Sequence, residues 1–332
     1  MSDTPDHDLL QTGAVLVAHA DPGIIRVTGP DRAEWLQGLL SNDIQALTPG
    51  QGCYAAWLTP QGRMITDAVV LAEPDAITLE LPAPLAATLA RQLAAAVFAE
   101  DVTIEDETGQ WRHVGVHGPA AAETLARATA APGTGFAADR LAAWTEFAHE
   151  PAGDARVVRR DTYGGPGFVV RTPAPSLDHW MSRLRLAGGT VVPAAVVEYG
   201  RIEAGRPEFL VDMDADTIPL EAGIEGRAIS FTKGCYVGQE VIVRVLHRGG
   251  GRVARRLVGL AVDGDCVPAR RATVRTEKGD VGRVTSAAWS PRLGRGVALA
   301  YVQRDAAEPG TPVTVACDGD DVRATVRELP LA

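Results

Sequence analysis

The chain has 332 residues, 46% of them hydrophobic and 22% charged, a balance that fits a globular protein and excludes a disordered one. Its formal net charge of −10 argues against a general nucleic-acid binder. No apolar run approaches the roughly 18–20 residues that a membrane span needs.

In chain order, period-2 alternation predicts strands at 14–17 and 24–28, and a helix follows at Asp31, whose carboxylate is expected to accept from the Glu34 amide. Trp35, Leu36, Leu39 and Leu40 form the apolar stripe of that helix. Strands are expected at 68–71 and 76–81, then a helix over 84–99. Residues 25–36, IRVTGPDRAEWL, are echoed at an offset of 89 by residues 114–125, VGVHGPAAAETL. Each copy reads as strand, Gly-Pro turn and helix start, so the first part of the chain is expected to be pseudo-duplicated. Further strands are expected at 112–116, 157–160 and 168–171. Helices follow over 176–187, capped by Ser176, and over 193–204. After about residue 252 the pattern changes to short strands at 256–261, 273–276, 282–288, 296–301, 313–316 and 322–328, which suits a small antiparallel barrel or sandwich. The expected architecture is α+β: a body over 1–245 and a β module over 246–332.

Charge divides the same way. Residues 246–332 carry 14 Lys and Arg against 10 Asp and Glu, whereas residues 1–245 carry 18 against 32. At the junction, Arg244 to Arg256 holds five Arg, one His and no carboxylate. Two readings are open: a polyanion contact, such as RNA phosphate or a carboxylated ligand tail, or a solvated hinge paired with the acidic body. The cysteines, at 53, 235, 266 and 317, include no C-x-x-C pair, so neither a metal cradle nor a disulfide framework is expected. The acidic opening MSDTPDHDLL has no leader-like pattern, and a reduced, cytoplasmic protein is expected. Asp212 to Asp216 mimics a calcium loop but has Thr217 and Gly223 where Gly and Glu belong, so no metal site is expected.

The sharpest motif is Lys233-Gly-Cys-Tyr-Val-Gly-Gln-Glu240. Lysine is scarce here, with only Lys233 and Lys278 against 30 Arg. A cation at Lys233 could lower the Cys235 thiol pKa; the alternative is a small buried hydrophobe.

This motif, with Arg201-Ile-Glu-Ala-Gly205 before it, resembles the YgfZ family of folate-binding proteins, which is related to the T-protein (aminomethyltransferase) of the glycine cleavage system. The similarity extends to Trp35–Asp43, Tyr54–Met64, Gly282–Ser286, Ser290–Gly294 and Ala298–Tyr301. The resemblance implies a three-lobed ring whose central channel holds tetrahydrofolate or a one-carbon derivative, closed by a C-terminal β-barrel. It implies that Glu203 pairs with the guanidine-like edge of the pterin, the alternative being a partner for Arg201 or Arg206. Arg201, Tyr236 and Gln239 are further candidate contacts, and Arg248 in the basic junction is a candidate for the glutamate tail.

The T-protein pattern has a paired-Asp segment where this chain has Thr66-Asp67, and no Cys at the position of Cys235. A missing carboxylate would remove roughly 10²–10⁴-fold of catalysis. The resemblance therefore implies an accessory protein serving iron–sulfur enzyme assembly or repair and tRNA modification, with Cys235 and Lys233 as its reactive pair and iron–sulfur proteins as clients. The alternatives are a folate-dependent one-carbon transferase using Asp67, and a non-catalytic RNA or protein docking module using Arg244–Arg256.

Overall fold

The computed structural model describes residues 9–18, 21–130, 135–247 and 250–331. The chain begins with α1 (Leu9–Thr12), β1 (Val15–Ala18), β2 (Pro22–Thr28) and α2 (Arg32–Leu39). It continues through β3 (Gly52–Leu58), β4 (Met64–Ala72), β5 (Ala76–Pro82), α3 (Ala83–Ala95) and β6 (Thr103–Asp106). Next come β7 (Trp111–His117), α4 (Ala121–Thr129), α5 (Ala138–Ala142), β8 (His149–Ala152), β9 (Ala155–Arg159) and β10 (Gly167–Pro173). These lead to α6 (Leu177–Leu186), β11 (Thr190–Val191) and α7 (Ala194–Glu203), then α8 (Pro219–Ala222), α9 (Glu225–Ala228) and α10 (Gln239–His247). The last strands are β12 (Arg255–Val262), β13 (Thr273–Thr276), β14 (Gly279–Ser290), β15 (Arg295–Gln303), β16 (Pro312–Cys317) and β17 (Asp320–Arg327).

They assemble into three β units. A five-stranded sheet has the order β3-β4-β5-β2-β6, a six-stranded sheet the order β11-β1-β7-β10-β9-β8, and β12-β15-β14-β13-β16-β17 close into a barrel. Closure leaves the barrel no unpaired edge.

The duplication is visible in the backbone. Gly29 ends β2 at φ +102° and Gly118 ends β7 at φ +103°. A Cβ on Gly29 would sit 2.0 Å from the Asp101 carbonyl oxygen, and one on Gly118 would sit 2.5 Å from that of Gly13. Both positions therefore require glycine twice over, for the left-handed turn and for the close backbone approach. The repeat also extends further than the Gly-Pro echo. Each copy pairs its strand with a neighbour, β5 or β10, that ends on the first proline of a Pro-Ala-Pro, at 82–84 and 173–175, where the chain turns into a helix.

Strand β3 was not among the expected elements, because both of its faces are covered. Ala55 and Trp57, with Ala68 and Val70 of β4, face the core under α2 and α3. Tyr54, Ala56 and Leu58, with Val69 and Leu71, face a second core built by Phe209, Met213, Leu220, Ile224, Tyr236 and Ile242. A strand buried on both sides loses the alternation that would reveal it.

Three local expectations need correction. The Asp31 carboxylate does not cap α2; it accepts from the Asp101 amide at 2.7 Å and so staples the first turn to the loop before β6. Ser176 makes no cap bond either, because its hydroxyl is bound to Asp154. Cys266 and Cys317, 51 residues apart, are joined as a disulfide, contrary to the expectation of no pairing. The barrel brings the loop after β12 beside the end of β16, which sequence spacing does not show. No helix among the described residues is long and apolar enough to cross a membrane.

Candidate functional site

A cavity of about 660 Å³ opens between the two sheets and the segment that follows α7. Its lining takes Tyr54 from β3, Asp67 from β4, Glu80 from β5 and His113 from β7. The lining also takes Arg160 and Tyr163, Glu198 and Arg201 of α7, Arg206 to Val211, and Arg227 of α9.

Asp67 is the carboxyl of this wall whose pKa is drawn toward neutrality. In the β3–β4 ladder Ala56 lies opposite Asp67, so Tyr54 stands diagonally across on the same face. The small side chain of Ala56 leaves room for the phenol to cross, and Tyr54 Oη donates to Asp67 Oδ2 at 2.7 Å. Burial raises the Asp67 pKa to about 6, with the tyrosine hydrogen bond opposing the rise. The carboxyl is thus poised to take or release a proton near neutral pH. Thr66 points the other way, buried, with its hydroxyl on the Asp67 carbonyl. Strand alternation therefore leaves the cavity its carboxylate although the Asp pair is reduced to one.

Glu80 differs sharply from Asp67. Burial alone would raise its pKa, but His113 and Arg160 outweigh burial and hold the carboxylate well below its usual range. Arg160 pairs with Glu80, and Arg171 of β10 donates to Glu73 at 2.6 Å, so these ion pairs tie the two sheets together behind the cavity.

The two charged residues of Arg-Ile-Glu-Ala-Gly are placed otherwise than the resemblance implies. Glu203 is buried and is not on the lining of the large cavity; it borders a smaller cleft of about 380 Å³. Its Oε1 accepts from Ser290, and its Oε2 accepts from Arg292 Nε at 2.9 Å and lies 2.7 Å from Arg292 Nη2. Arg201 reaches the cavity wall, but each of its nitrogens is engaged. Nε and Nη2 go to Glu198, Nη2 also to Ser286, and Nη1 to Asp212 and the Arg206 carbonyl. A guanidinium has five N–H donors, so none remains for a ligand. Both residues bolt the end of α7 to β14 and the turn after it.

The Lys233 motif is likewise structural at its first residue. Lys233 Nζ donates to the carbonyls of Gln37, Leu40 and Asn42 at 2.7, 2.6 and 2.8 Å, closing the C-terminal end of α2. Burial draws its pKa down to about 8, and the thiol it acts on electrostatically is Cys53, which burial pushes up to about 12. The expected Lys233–Cys235 pair is therefore replaced by a lysine with every donor occupied. Cys235 itself is exposed and lines neither cavity. Tyr236 is buried in the core beside β3, and Gln239 begins α10; neither lines the large cavity or the smaller cleft. Arg248 lies outside the described residues. In the basic run, Arg255 donates to Glu221 at 3.0 Å, as in the hinge reading.

Sequence reasoning missed Tyr54, Arg206, Glu208 and Arg227. The available signal was Tyr54 and Asp67 lying on neighbouring strands of one meander, readable only once β3 is recognised.

The GCVT N-terminal domain family matches residues 4–233, and the glycine cleavage T-protein C-terminal barrel domain matches residues 255–332. The aminomethyltransferase of Cutibacterium acnes is 30% identical over 338 residues, covering 99% of this chain and 90% of its own. A putative chloroplastic transferase of Arabidopsis thaliana is 29% identical over 339 residues, covering 97% of this chain and 72% of its own. The crystal structure of aminomethyltransferase T of the glycine cleavage system from Bartonella henselae superposes with a TM-score of 0.86 at 23% identity, over 98% of this chain and 88% of that one. The shared fold, with its paired sheets and closing barrel, accompanies a domain match across most of the sequence, and the chain belongs to the glycine cleavage T-protein family.

Proposed function

We propose that the large cavity binds a reduced folate and that Asp67 manages a proton in one-carbon chemistry on it. The observation that carries this reading is the Asp67 carboxyl, held by Tyr54 on the cavity wall with a pKa near 6. The remaining lining suits such a ligand. Phe147, Tyr163, Val69 and Leu81 offer apolar surface to a flat heterocycle. Glu208 is exposed on the wall, and its carboxylate makes no hydrogen bond among the described residues. With both oxygens of Glu203 taken by Ser290 and Arg292, Glu208 is the carboxylate open to the donor edge of a pterin.

Titration with tetrahydrofolate tests the reading. Bound folate raises the melting temperature of the wild type, and Glu208→Gln removes most of the rise while Glu203→Gln keeps it. Transfer of the methylene carbon of an aminomethyl donor to tetrahydrofolate, giving methylenetetrahydrofolate with release of ammonia and lost in Asp67→Asn, supports the transferase chemistry. No melting shift with any reduced folate rejects the proposal.

A second reading, the accessory role of the YgfZ type in iron–sulfur enzyme assembly and tRNA modification, is favoured by Cys235. Its thiol is exposed and away from both cavities, so it is available to a protein partner rather than to the ligand. Cys235→Ser that leaves the folate shift intact but halts recovery of an iron–sulfur enzyme in cells supports this role; full recovery rejects it.

A further inference from the structure

We infer that Arg206, with Arg227 beside it, forms a carboxylate-binding corner of the large cavity. The inference deepens the folate reading, on which it depends only for one of two possible sources of that carboxylate.

The guanidinium of Arg206 is mostly covered, yet among the described residues it makes no hydrogen bond. Its nearest acid, Glu146, is 3.9 Å away, and its Nε is buried without a partner. Glu146 is already committed, accepting from Arg227 Nη2 at 2.7 Å. The next acid, Asp161, is bound to Arg159 Nε at 2.7 Å. Arg159, Arg206 and Arg227 therefore face two carboxylates, Glu146 and Asp161, and one positive charge is left over. Arg206 and Arg227 also repel each other, and this repulsion adds to desolvation in drawing the Arg206 pKa down. A guanidinium removed from water without acceptors is costly, and the cost is relieved when an anion fills the gap. A carboxylate fits best, because it accepts two parallel N–H bonds from one guanidinium.

Of the other charges of the lining, Glu208 is exposed to solvent, and the acids that act on Arg206 are Glu146 and Asp161. Glu198 holds Arg201, Glu80 holds Arg160, and Asp67 is near its own pKa at neutral pH. The corner adjoins the reactive carboxyl, since Arg227 Cζ lies 5.1 Å from the centre of the Tyr54 ring whose hydroxyl holds Asp67. A ligand seated by its carboxylate at Arg206 would thus carry its neighbouring atoms toward Asp67.

That carboxylate could belong to the glutamate tail of a folate or to a free N-methylated amino acid. Calorimetric titrations of wild type, Arg206→Gln and Arg206→Lys with three probes separate the sources. The probes are tetrahydrofolate, 6-methyltetrahydropterin, which has no tail, and N-methylglycine. In Arg206→Gln we expect about a tenfold loss of affinity for at least one carboxylate probe, with no change for 6-methyltetrahydropterin and partial recovery in Arg206→Lys. A loss confined to tetrahydrofolate assigns the tail, and a loss confined to N-methylglycine assigns a free amino acid. If neither pterin binds the wild type but N-methylglycine does and needs Arg206, the corner stands and the folate reading falls. The inference is overturned if the carboxylate probes bind Arg206→Gln as tightly as wild type, if neither binds wild type, or if 6-methyltetrahydropterin weakens equally.

Discussion

Glu203, at the end of α7, and Arg292, in the turn after β14, meet through two contacts of 2.9 and 2.7 Å, and Ser290 occupies the other carboxylate oxygen. Two motifs nearly ninety residues apart in sequence are thus the halves of one joint between body and barrel. Glu203→Ala should leave Arg292 half-buried and unpaired, at a cost of about 2–3 kcal/mol, below the figure for a fully buried pair because Arg292 is partly exposed. Chemical denaturation measures this. A folate-induced melting shift that disappears in the same variant would return Glu203 to the ligand.

Asp67 should make stability depend on pH. Its folded pKa, about 6, lies above the ordinary aspartate value of 3.8, so the folded state holds the proton more tightly than the unfolded state does. The stabilisation is fully present below about pH 4 and is lost as pH rises through 6. Asp67→Asn, which mimics the protonated form, should therefore be more stable than wild type at pH 8 by up to about 3 kcal/mol and equal to it near pH 4. Paired melting curves at the two pH values decide the matter, and equal stabilities at pH 8 count against a buried, perturbed carboxyl.

Tyr54→Phe removes the hydrogen bond that favours the charged form of Asp67 and leaves the burial that opposes it. The Asp67 pKa should move upward by about one unit, the equivalent of roughly 1.4 kcal/mol. Carboxyl-carbon NMR follows it directly, without ligand or turnover. An unchanged titration means that the phenol does not set the proton affinity.

Lys233→Met should strand the carbonyls of Gln37, Leu40 and Asn42 and cost about 2 kcal/mol. Hydrogen exchange should rise first at the C-terminal turn of α2. If thiol labelling at Cys235 changes while α2 stays protected, the lysine serves the cysteine instead.

Gly118→Ala meets both a left-handed backbone and the Gly13 carbonyl, and should destabilise by more than about 2 kcal/mol. Gly109→Ala, also at positive φ but with nothing within 4 Å, should cost less, and comparison of their melting temperatures isolates the steric part.

What the sequence reveals depends on whether a signal is local. The Gly-Pro echo marks β2 and β7 because turn chemistry and alternation lie within a dozen residues. The barrel strands are similarly plain, since short apolar runs are separated by turn residues, even in β12 and β15, which are covered on both faces. By contrast β3 is hidden by burial on both sides, and with it Tyr54. Asp67 could be singled out from its motif, but its companions Arg206, Glu208 and Arg227 come from the segment after α7, which has little periodic structure. Glu203 and Lys233 show the opposite error: side chains conspicuous in a motif spend their polar atoms on other parts of the chain, and only coordinates reveal those partners.

The covering of the first sheet has a consequence for biosynthesis. The face of β3 and β4 that turns toward the cavity is closed by Phe209, Met213, Leu220, Tyr236 and Ile242, and α2 is finished by Lys233. A nascent chain on the ribosome therefore exposes this apolar face from the time β4 emerges until α10 follows. The amino-terminal half cannot mature as an independent unit, and fragments ending before α10 should be recovered as aggregates or as chaperone clients.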